Sequence, residues 1–272
     1  MNKVATIILN RNLPKVTDKL YREIKKNNKT DVFVVEAGSQ KSKLSKFVNW
    51  HANWKSAKIK GLRFPRGMNY GLSQLYIEKK LKNYDYFALV TNDAEFKTKN
   101  FCEKMIKIFK SHKRLGILSP IANNFGEKKL LKKIKTKYFW FVHNHVLFLR
   151  RKLVEELMSV NKPGYMNFLF DGKNFRGYGT EMELVAKSYS NYWSVGITSE
   201  IVVNENEKLL LNENAEIKTE PYDKNMKLFI KEGKAWMKQK YGFDSKWSMS
   251  MYSKLFYDKF FEYYPEYNKY KI

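Results

Sequence analysis

Short apolar runs and longer amphipathic segments alternate along the first half of the chain. Four runs rich in β-branched and aromatic residues predict buried strands: VATIILN (4–10), DVFVVEAG (31–38), YDYFALVTND (84–93) and LGILSPI (115–121). Apolar residues at helical spacing separate them, over Pro14 to about Lys26, 69–82 and 100–112. Strands that alternate with helices of this length predict an α/β fold, with a mostly parallel, Rossmann-like sheet flanked by helices.

The second half of the chain has a different pattern. Residues 137–151 predict a strand pair or one bent strand, and a helix follows to about 160. A Gly- and aromatic-rich loop (168–179) leads into an acidic helix start, and 197–207 predict a last strand. From about 220 an apolar stripe at helical spacing replaces the strand pattern. We therefore expect an α/β domain over 1–215 and a helical, aromatic and basic C-terminal extension over 216–272.

Polar residues follow three of the predicted strands. They are NRN (10–12), with Asn10 and Asn12, EAGS (36–39) and TNDAE (91–95). Ligands of parallel α/β sheets bind outside the carboxyl ends of the strands, where these segments would lie together. The three strand ends therefore predict one polar crevice.

The third strand end carries the strongest metal candidates. A hard divalent cation that binds a diphosphate takes one or two carboxylates and leaves its other positions to phosphate and water. Asp93 is the first candidate ligand, Glu95 is its neighbour, and Asn92 is a neutral helper. A turn or a helix cap would use the same residue types, so the segment alone leaves both interpretations open.

Two other segments are candidates for nucleotide contacts. Glu36 ends a predicted strand and could accept hydrogen bonds from a ribose or a base, while Gly38 would permit a close approach. Arg66 and Asn69 lie just before a predicted helix, where basic groups and free backbone amides favour anions. Plain turns are the alternative at both places.

Two carboxylates, Glu181 and Glu183, begin the predicted helix after the glycine-rich loop. Either one could act as a general base that deprotonates an acceptor hydroxyl. Side chains two residues apart on a helix point to different sides, so only one of them can face the crevice. Acidic residues also stabilise helix starts through the macrodipole, which is the structural alternative.

Charge and cysteine content narrow the partners and the compartment. The net charge is +25, which favours anionic partners, although a lysine-rich surface of purely compositional origin gives the same value. The sequence contains no recognised nucleic-acid motif, so we expect no nucleic-acid partner. One cysteine, no leader and no apolar run of about 20 residues indicate a cytoplasmic protein, in contact with a membrane at most peripherally. His143 and His145 have no carboxylate at metal-ligand spacing, so we assign them no metal role.

Taken in order, six segments resemble the family 2 type of GT-A glycosyltransferases, which includes bacterial rhamnosyl- and galactofuranosyltransferases. The segments are VATIILNRN, DVFVVEAGSQ, RFPRGMNYGL, YDYFALVTNDAEF, FDGKNFRGYGTEMEL and IVVNENE. The resemblance covers roughly residues 3–210. It implies a GT-A fold, a nucleotide-diphosphate sugar donor, Mn²⁺ or Mg²⁺, and inverting transfer by single displacement.

The resemblance also implies roles for individual residues. Asp93 matches the last acid of the family's DXD-type motif, and Glu36 matches the first acid of the nucleoside-binding strand. Glu181 matches the catalytic base, and Asn204 stands where a metal-binding His is common. The chain departs from the pattern at Thr91, the first DXD-type position, so Glu95 stays open as a substitute ligand.

We therefore predict a metal-dependent, inverting hexosyl- or deoxyhexosyltransferase of polysaccharide biosynthesis, acting on a glycan, a lipid-linked or a protein acceptor. The C-terminal extension is open to acceptor binding, homodimer packing or membrane contact. Two rivals remain open: a nucleotidyltransferase of similar α/β fold, and a non-catalytic basic protein that binds nucleic acid or acts as a scaffold.

Overall fold

The computed structural model describes residues 3–123, 125–131, 134–159, 161–206, 208–209 and 219–272. The strands in these residues are β1 (Val4–Asn10), β2 (Asp31–Glu36), β3 (Val48–His51), β4 (Tyr86–Thr91), β5 (Ala94–Phe96), β6 (Leu115–Ile121), β7 (Thr136–Tyr138), β8 (Val146–Arg150) and β9 (Ser194–Glu205). The α-helices are α1 (Pro14–Asn27), α2 (Lys55–Lys60), α3 (Arg63–Ile77), α4 (Phe101–Ser111), α5 (Arg151–Leu157), α6 (Thr180–Ser190), α7 (Tyr222–Tyr241) and α8 (Lys246–Tyr263). Short 3₁₀ helices cover Lys41–Lys43, Leu81–Asn83, Gly126–Leu131 and Pro265–Tyr270.

The strands form one mixed sheet in the order β3-β2-β1-β4-β8-β6-β9-β5, with β7 paired to β9. The half from β3 to β4 is parallel, as predicted. Beyond β4, strand β8 runs antiparallel to both of its neighbours, while β6 and β9 pair parallel. Strand β8 therefore interrupts the parallel order, and the predicted crevice lies at the carboxyl ends of β1, β2 and β4.

The core forms where the apolar runs predicted it. Strands β1, β4 and β8 are almost wholly buried, and the amphipathic helices α1, α3 and α4 cover them. Helix α3 begins at Arg63, six residues before its predicted start, and Gly67 and Gly71 lie inside it and face β1. A Cβ at Gly71 would lie 2.8 Å from the Ile7 side chain, so glycine permits this close packing.

The C-terminal extension packs on the α/β core through helices α7 and α8, and the predicted helical stripe over 226–237 is confirmed as part of α7. Lys240 Nζ lies 2.7 Å from Asp171 and 2.6 Å from Glu183, and Ser253 Oγ donates to the Met182 carbonyl. Residues 216–218 lie outside the described residues. Within the described chain, no helix combines the length and apolarity that crossing a bilayer requires.

Candidate active site

A cavity of about 430 Å³ opens at the carboxyl ends of β1, β2 and β4. Its lining comes from strand ends, the start of α3, the 168–179 loop and helix α7. The lining residues are Leu9, Asn10, Arg11, Ala37, Arg63, Phe64, Thr91, Asn92, Asp93, Asn144, His145, Arg176, Glu205, Asn225, Met226 and Phe229. Two of the three predicted polar strand ends therefore meet in one cavity, and the third contributes Ala37.

A buried polar network joins the strand ends beneath the cavity. Asn10 Nδ2 lies 3.0 Å from both Glu36 carboxylate oxygens, and its Oδ1 accepts from Asn92 Nδ2 at 2.9 Å. Glu36 is fully buried and also accepts from the Ser45 amide and the Ser39 hydroxyl. With its oxygens engaged and no exposed surface, Glu36 does not fit the predicted nucleoside contact. It holds the floor of the cavity together instead.

The carboxylates of the cavity are Asp93 and Glu205, which neighbouring strands bring together. Ala94 of β5 pairs with Glu205 of β9, and the Asn206 amide donates to the Asp93 carbonyl at 2.9 Å. Asp93 is 7% exposed. The structure thus places predicted Asp93 in the cavity beside Glu205, a residue that the sequence analysis did not identify.

The other two predicted metal ligands point elsewhere in the described structure. Glu95 forms an ion pair with Lys97 at 2.9 Å, accepts from Asn206 Nδ2, and lines an adjacent pocket between α1 and β5 that Asn92 and Asp93 also line. Asn204 lies opposite Glu95 in the strand pairing, and its Oδ1 accepts from the Asn123 amide. Neither side chain lines the cavity, so their predicted metal contact does not fit this geometry.

Four predicted nucleotide-binding residues have structural partners outside the cavity. Asn69 lies inside α3, fully buried, where its side chain bonds the backbone of residues 165–170. Arg66 donates to the Gly172 carbonyl. Gly38 packs against α2, and Asn12 Oδ1 accepts from the Gln40 amide. These contacts do not support the predicted nucleotide-binding roles. The four residues instead pack helices together or hold loops in place.

The two candidate bases at the start of α6 differ in their surroundings. Glu183 is 1% exposed and accepts from Lys240 at 2.6 Å and Tyr241 at 2.7 Å, so it anchors α7 and is excluded as the reserve base. Glu181 lies 3.1 Å from Lys246 Nζ at the start of α8, and its side chain keeps 7% exposure. Among the described residues, the cavity lining includes neither carboxylate.

Three arginines and helix α7 form the part of the site that the sequence analysis missed. Arg11, Arg63 and Arg176 line the cavity, and α7 closes it with Asn225, Met226 and Phe229. All three arginines lie within segments of the family resemblance, but none of them stands at a position to which the resemblance assigns a role. The lysine-rich tail was identified as helical, yet its spacing could not tell which face would meet the cavity.

His145 adds a neutral ring to the cavity wall. It is 1% exposed, its Nε2 lies 3.1 Å from the Val203 carbonyl, and its own carbonyl accepts from the Thr91 amide. Burial, followed by the charge of His143, lowers the pKa of His145 to about 4. The imidazole is therefore uncharged at neutral pH and does not repel a cation.

The residues present fit a metal that the substrate helps to hold. Within the described residues, no group of three or more His, Cys, Asp or Glu side chains could hold a metal ion alone. Two carboxylates in one cavity are nevertheless the protein ligand set that Mg²⁺ or Mn²⁺ uses when phosphate oxygens and water complete the coordination. Asp93 and Glu205 supply that set.

Comparison with known proteins identifies the fold. No family model and no curated protein sequence matches the chain. It is similar in structure to the mannosyltransferase PcManGT from Pyrobaculum calidifontis, solved in complex with GDP-Man and Mn²⁺, with a TM-score of 0.52 and 12% identity. The fold is GT-A.

A second solved structure, GalNAc-T7 with UDP, GalNAc and Mn²⁺, matches with a TM-score of 0.51 and 9% identity. The matches cover 74% and 75% of this chain but 56% and 44% of those chains, so it spans about half of their length. Identities this low show the fold alone. The predicted fold class is confirmed, and the narrower likeness to family 2 stays a prediction.

Proposed function

We propose that this chain is a nucleotide-sugar-dependent glycosyltransferase that transfers a sugar to a glycan, lipid-linked or protein acceptor. The observation that supports the proposal best is the pairing of opposite charges across one cavity of a GT-A fold. Asp93 and Glu205 supply carboxylates for a divalent cation, and arginines face the same space. A bound divalent cation and arginine side chains both offset the charge of a diphosphate leaving group.

Asp93 and Glu205 would hold Mn²⁺ or Mg²⁺ in this cavity. When bound, such a cation offsets the negative charge that builds up on a departing diphosphate. The protein ligands number only two, so the cation should bind tightly only together with the nucleotide. Thr91 and Asn92 orient the segment through bonds to the His145 carbonyl and to Asn10.

The nucleoside would lie on the wall made by Leu9 and Ala37. This wall lies at the ends of β1 and β2, directly above the Asn10–Glu36 pair. Ala37 would therefore contact the nucleoside, which is the role predicted from sequence for Glu36. A small apolar side chain next to a rigid polar floor leaves room for a planar base.

Glu181 is our proposed general base for inverting transfer, although it lies outside the cavity lining. The acceptor would reach it from the side of Lys246, whose ammonium lies 5.6 Å from the ring centres of both Phe141 and Tyr178. Aromatic faces there could carry a sugar ring. The acceptor hydroxyl would then give its proton to the Glu181 carboxylate.

Helix α7 supports an acceptor- or donor-binding role for the C-terminal extension. Asn225, Met226 and Phe229 form one wall of the cavity, so the extension belongs to the proposed site. We propose this role ahead of homodimer packing or membrane contact, because it is the role for which the described residues offer contacts.

A thermal-shift panel tests the proposal. We expect one of UDP, GDP, dTDP or CMP to raise the melting temperature in the presence of Mn²⁺ and much less in EDTA. Incubation with the matching nucleotide-sugars should then release that nucleotide slowly. If no nucleotide shifts the melting temperature with Mn²⁺, the proposed function is wrong.

A further inference from the structure

We propose that Arg11, Arg63 and Arg176 form a phosphate-binding subsite in the cavity, and that Glu220 is an internal counter-ion which a bound phosphate group displaces. This subsite rests on the proposed function in one respect only, which is that the bound phosphate would belong to the donor or the acceptor. The arginines line the same cavity as Asp93 and Glu205 but are different side chains from the proposed metal ligands, so the subsite should bind phosphate without a metal.

The local backbone is arranged to bring these arginines into the cavity. A Cβ at Gly61 would lie 1.9 Å from Arg11 Nη1, so glycine leaves room for the guanidinium in its present position. Arg63 adopts a left-handed backbone conformation, with φ of 57°, which a bulky side chain rarely takes. Strain of this kind is tolerated where the surrounding structure fixes a residue in place.

The arginines are largely buried and keep unused hydrogen-bond donors. The Arg63 and Arg176 side chains are 10% and 5% exposed. Arg11 Nε and Nη1 and Arg63 Nε are buried without a hydrogen-bond acceptor among the described residues. Burial, followed by the charge of Arg63, lowers the pKa of Arg11 to about 10. Buried guanidinium donors of this kind favour the binding of an acceptor-rich anion.

Glu220 shows how an oxyanion is held here. One carboxylate oxygen lies 2.8 Å from Arg63 Nη2, and the other accepts from Arg176 Nη2 at 2.8 Å. Arg176 Nη1 donates to Glu220 at 3.2 Å and to Asn225 at 2.6 Å. The hydrogen bonds from Arg176 lower the pKa of Glu220 to about 2. A carboxylate bridging two guanidinium groups has the geometry that arginine also uses for phosphate.

The charges around the cluster leave room for a further anion. Arg11, Arg63 and Arg176 carry three positive charges, while Glu220 and Glu232, which lies 3.1 Å from Arg176 Nε, carry two negative charges. One positive charge remains uncompensated within these five side chains; Asp93 and Glu205, which line the same cavity, are not counted among them. A phosphate that replaced Glu220 would bring more negative charge and more acceptor atoms, which would satisfy the unused donors of Arg11 and Arg63.

Pyrophosphate binding in EDTA tests the subsite in the full chain. Isothermal titration calorimetry at low salt should detect binding to the wild type, and Arg11→Gln should weaken it about tenfold or more, as for loss of charge-assisted hydrogen bonds. Arg22→Gln is the matched control, because Arg22 lies exposed on α1 beside Phe47. Equal affinity in the wild type and Arg11→Gln would overturn the proposal.

Glu220→Gln tests the counter-ion. Removing its charge should strengthen pyrophosphate binding several-fold, because the anion no longer competes with a carboxylate. Weaker binding by this variant, with its circular dichroism spectrum and melting temperature unchanged, would overturn the displacement. If neither the wild type nor Glu220→Gln binds pyrophosphate, the subsite itself is refuted.

Competition identifies the source of the phosphate and separates this proposal from the proposed function. Displacement of pyrophosphate by a nucleoside diphosphate supports the subsite and assigns it to the donor. Glycerol phosphate binding in the presence of saturating nucleotide and Mn²⁺ supports it and assigns it to an acceptor phosphate. Pyrophosphate binding without any nucleotide binding would refute the proposed function and leave the subsite standing.

Discussion

The stability of the protein should fall in mild acid because His145 is buried as a neutral ring. Its pKa in the folded state is about 4, against an ordinary value of 6.5. The unfolded chain therefore takes up a proton first as the pH falls, so this histidine contributes stability above pH 6.5 that is lost towards pH 4. The full effect is about 3 kcal/mol, of which about 2 kcal/mol is gone by pH 5.

Urea denaturation at pH 7.5 and pH 5.0 measures this effect in the wild type and in His145→Gln. Other titrating groups are shared by the two proteins, so they cancel in the comparison. We expect the wild type to lose about 2 kcal/mol more than the variant between the two pH values. Equal losses would refute the argument that burial keeps the ring neutral. His112, whose pKa burial also lowers to about 4, should behave in the same way.

Three substitutions test the assignments around the cavity. Glu181→Gln should slow sugar transfer by about 100-fold or more and leave nucleotide affinity unchanged, as measured by initial rates and calorimetry. Glu183→Gln should instead lower the free energy of unfolding in urea by about 2–3 kcal/mol, because the buried bond to Lys240 loses its charge. Asn69→Ala should lower the same free energy by about 2–3 kcal/mol, because its side chain ties α3 to the backbone of residues 165–170.

Matched surface variants separate these effects from nonspecific damage. Glu262→Gln removes an exposed pair with Lys259 and should leave the free energy of unfolding nearly unchanged. Asn268→Ala, which changes an exposed asparagine, is the control for Asn69→Ala. If Glu183→Gln is as stable as Glu262→Gln, the anchoring role of Glu183 is wrong. If Glu181→Gln transfers sugar at the wild-type rate, another group is the base.

The strands could be predicted from sequence because buried apolar runs and turn residues mark them directly. Their direction could not, because an apolar run has the same pattern in either orientation. Strand β8 lies between β4 and β6 and runs antiparallel to both of them. The mostly parallel prediction therefore held for β1 to β4 and missed the mixed half.

The metal corner shows how strand register limits prediction. The sequence indicated Asn204 by resemblance, whereas the cavity is lined by the next residue, Glu205. Neighbouring side chains on a strand point to opposite faces, so a shift of one residue exchanges them. The pairing of β5 with β9 sets this register, and nothing in the segment around residue 95 predicted a three-residue strand.

Composition misled at α3. Gly67, Asn69 and Gly71 have the residue types of a loop, yet they lie in a helix that packs closely on β1. Asn69 is conspicuous because it bonds a segment about 100 residues away in sequence. A tertiary contact of this range has no local signal, and the same holds for the three cavity arginines.

Calorimetry with Asp93→Asn and Glu95→Gln tests the central claim most directly. The ligand is the nucleoside diphosphate that stabilises the wild type best, titrated with Mn²⁺ and again in EDTA. We predict that Asp93→Asn abolishes the gain in affinity from Mn²⁺, whereas Glu95→Gln keeps it, because Glu95 pairs with Lys97 and does not line the cavity. A full Mn²⁺-dependent gain in Asp93→Asn would contradict the account.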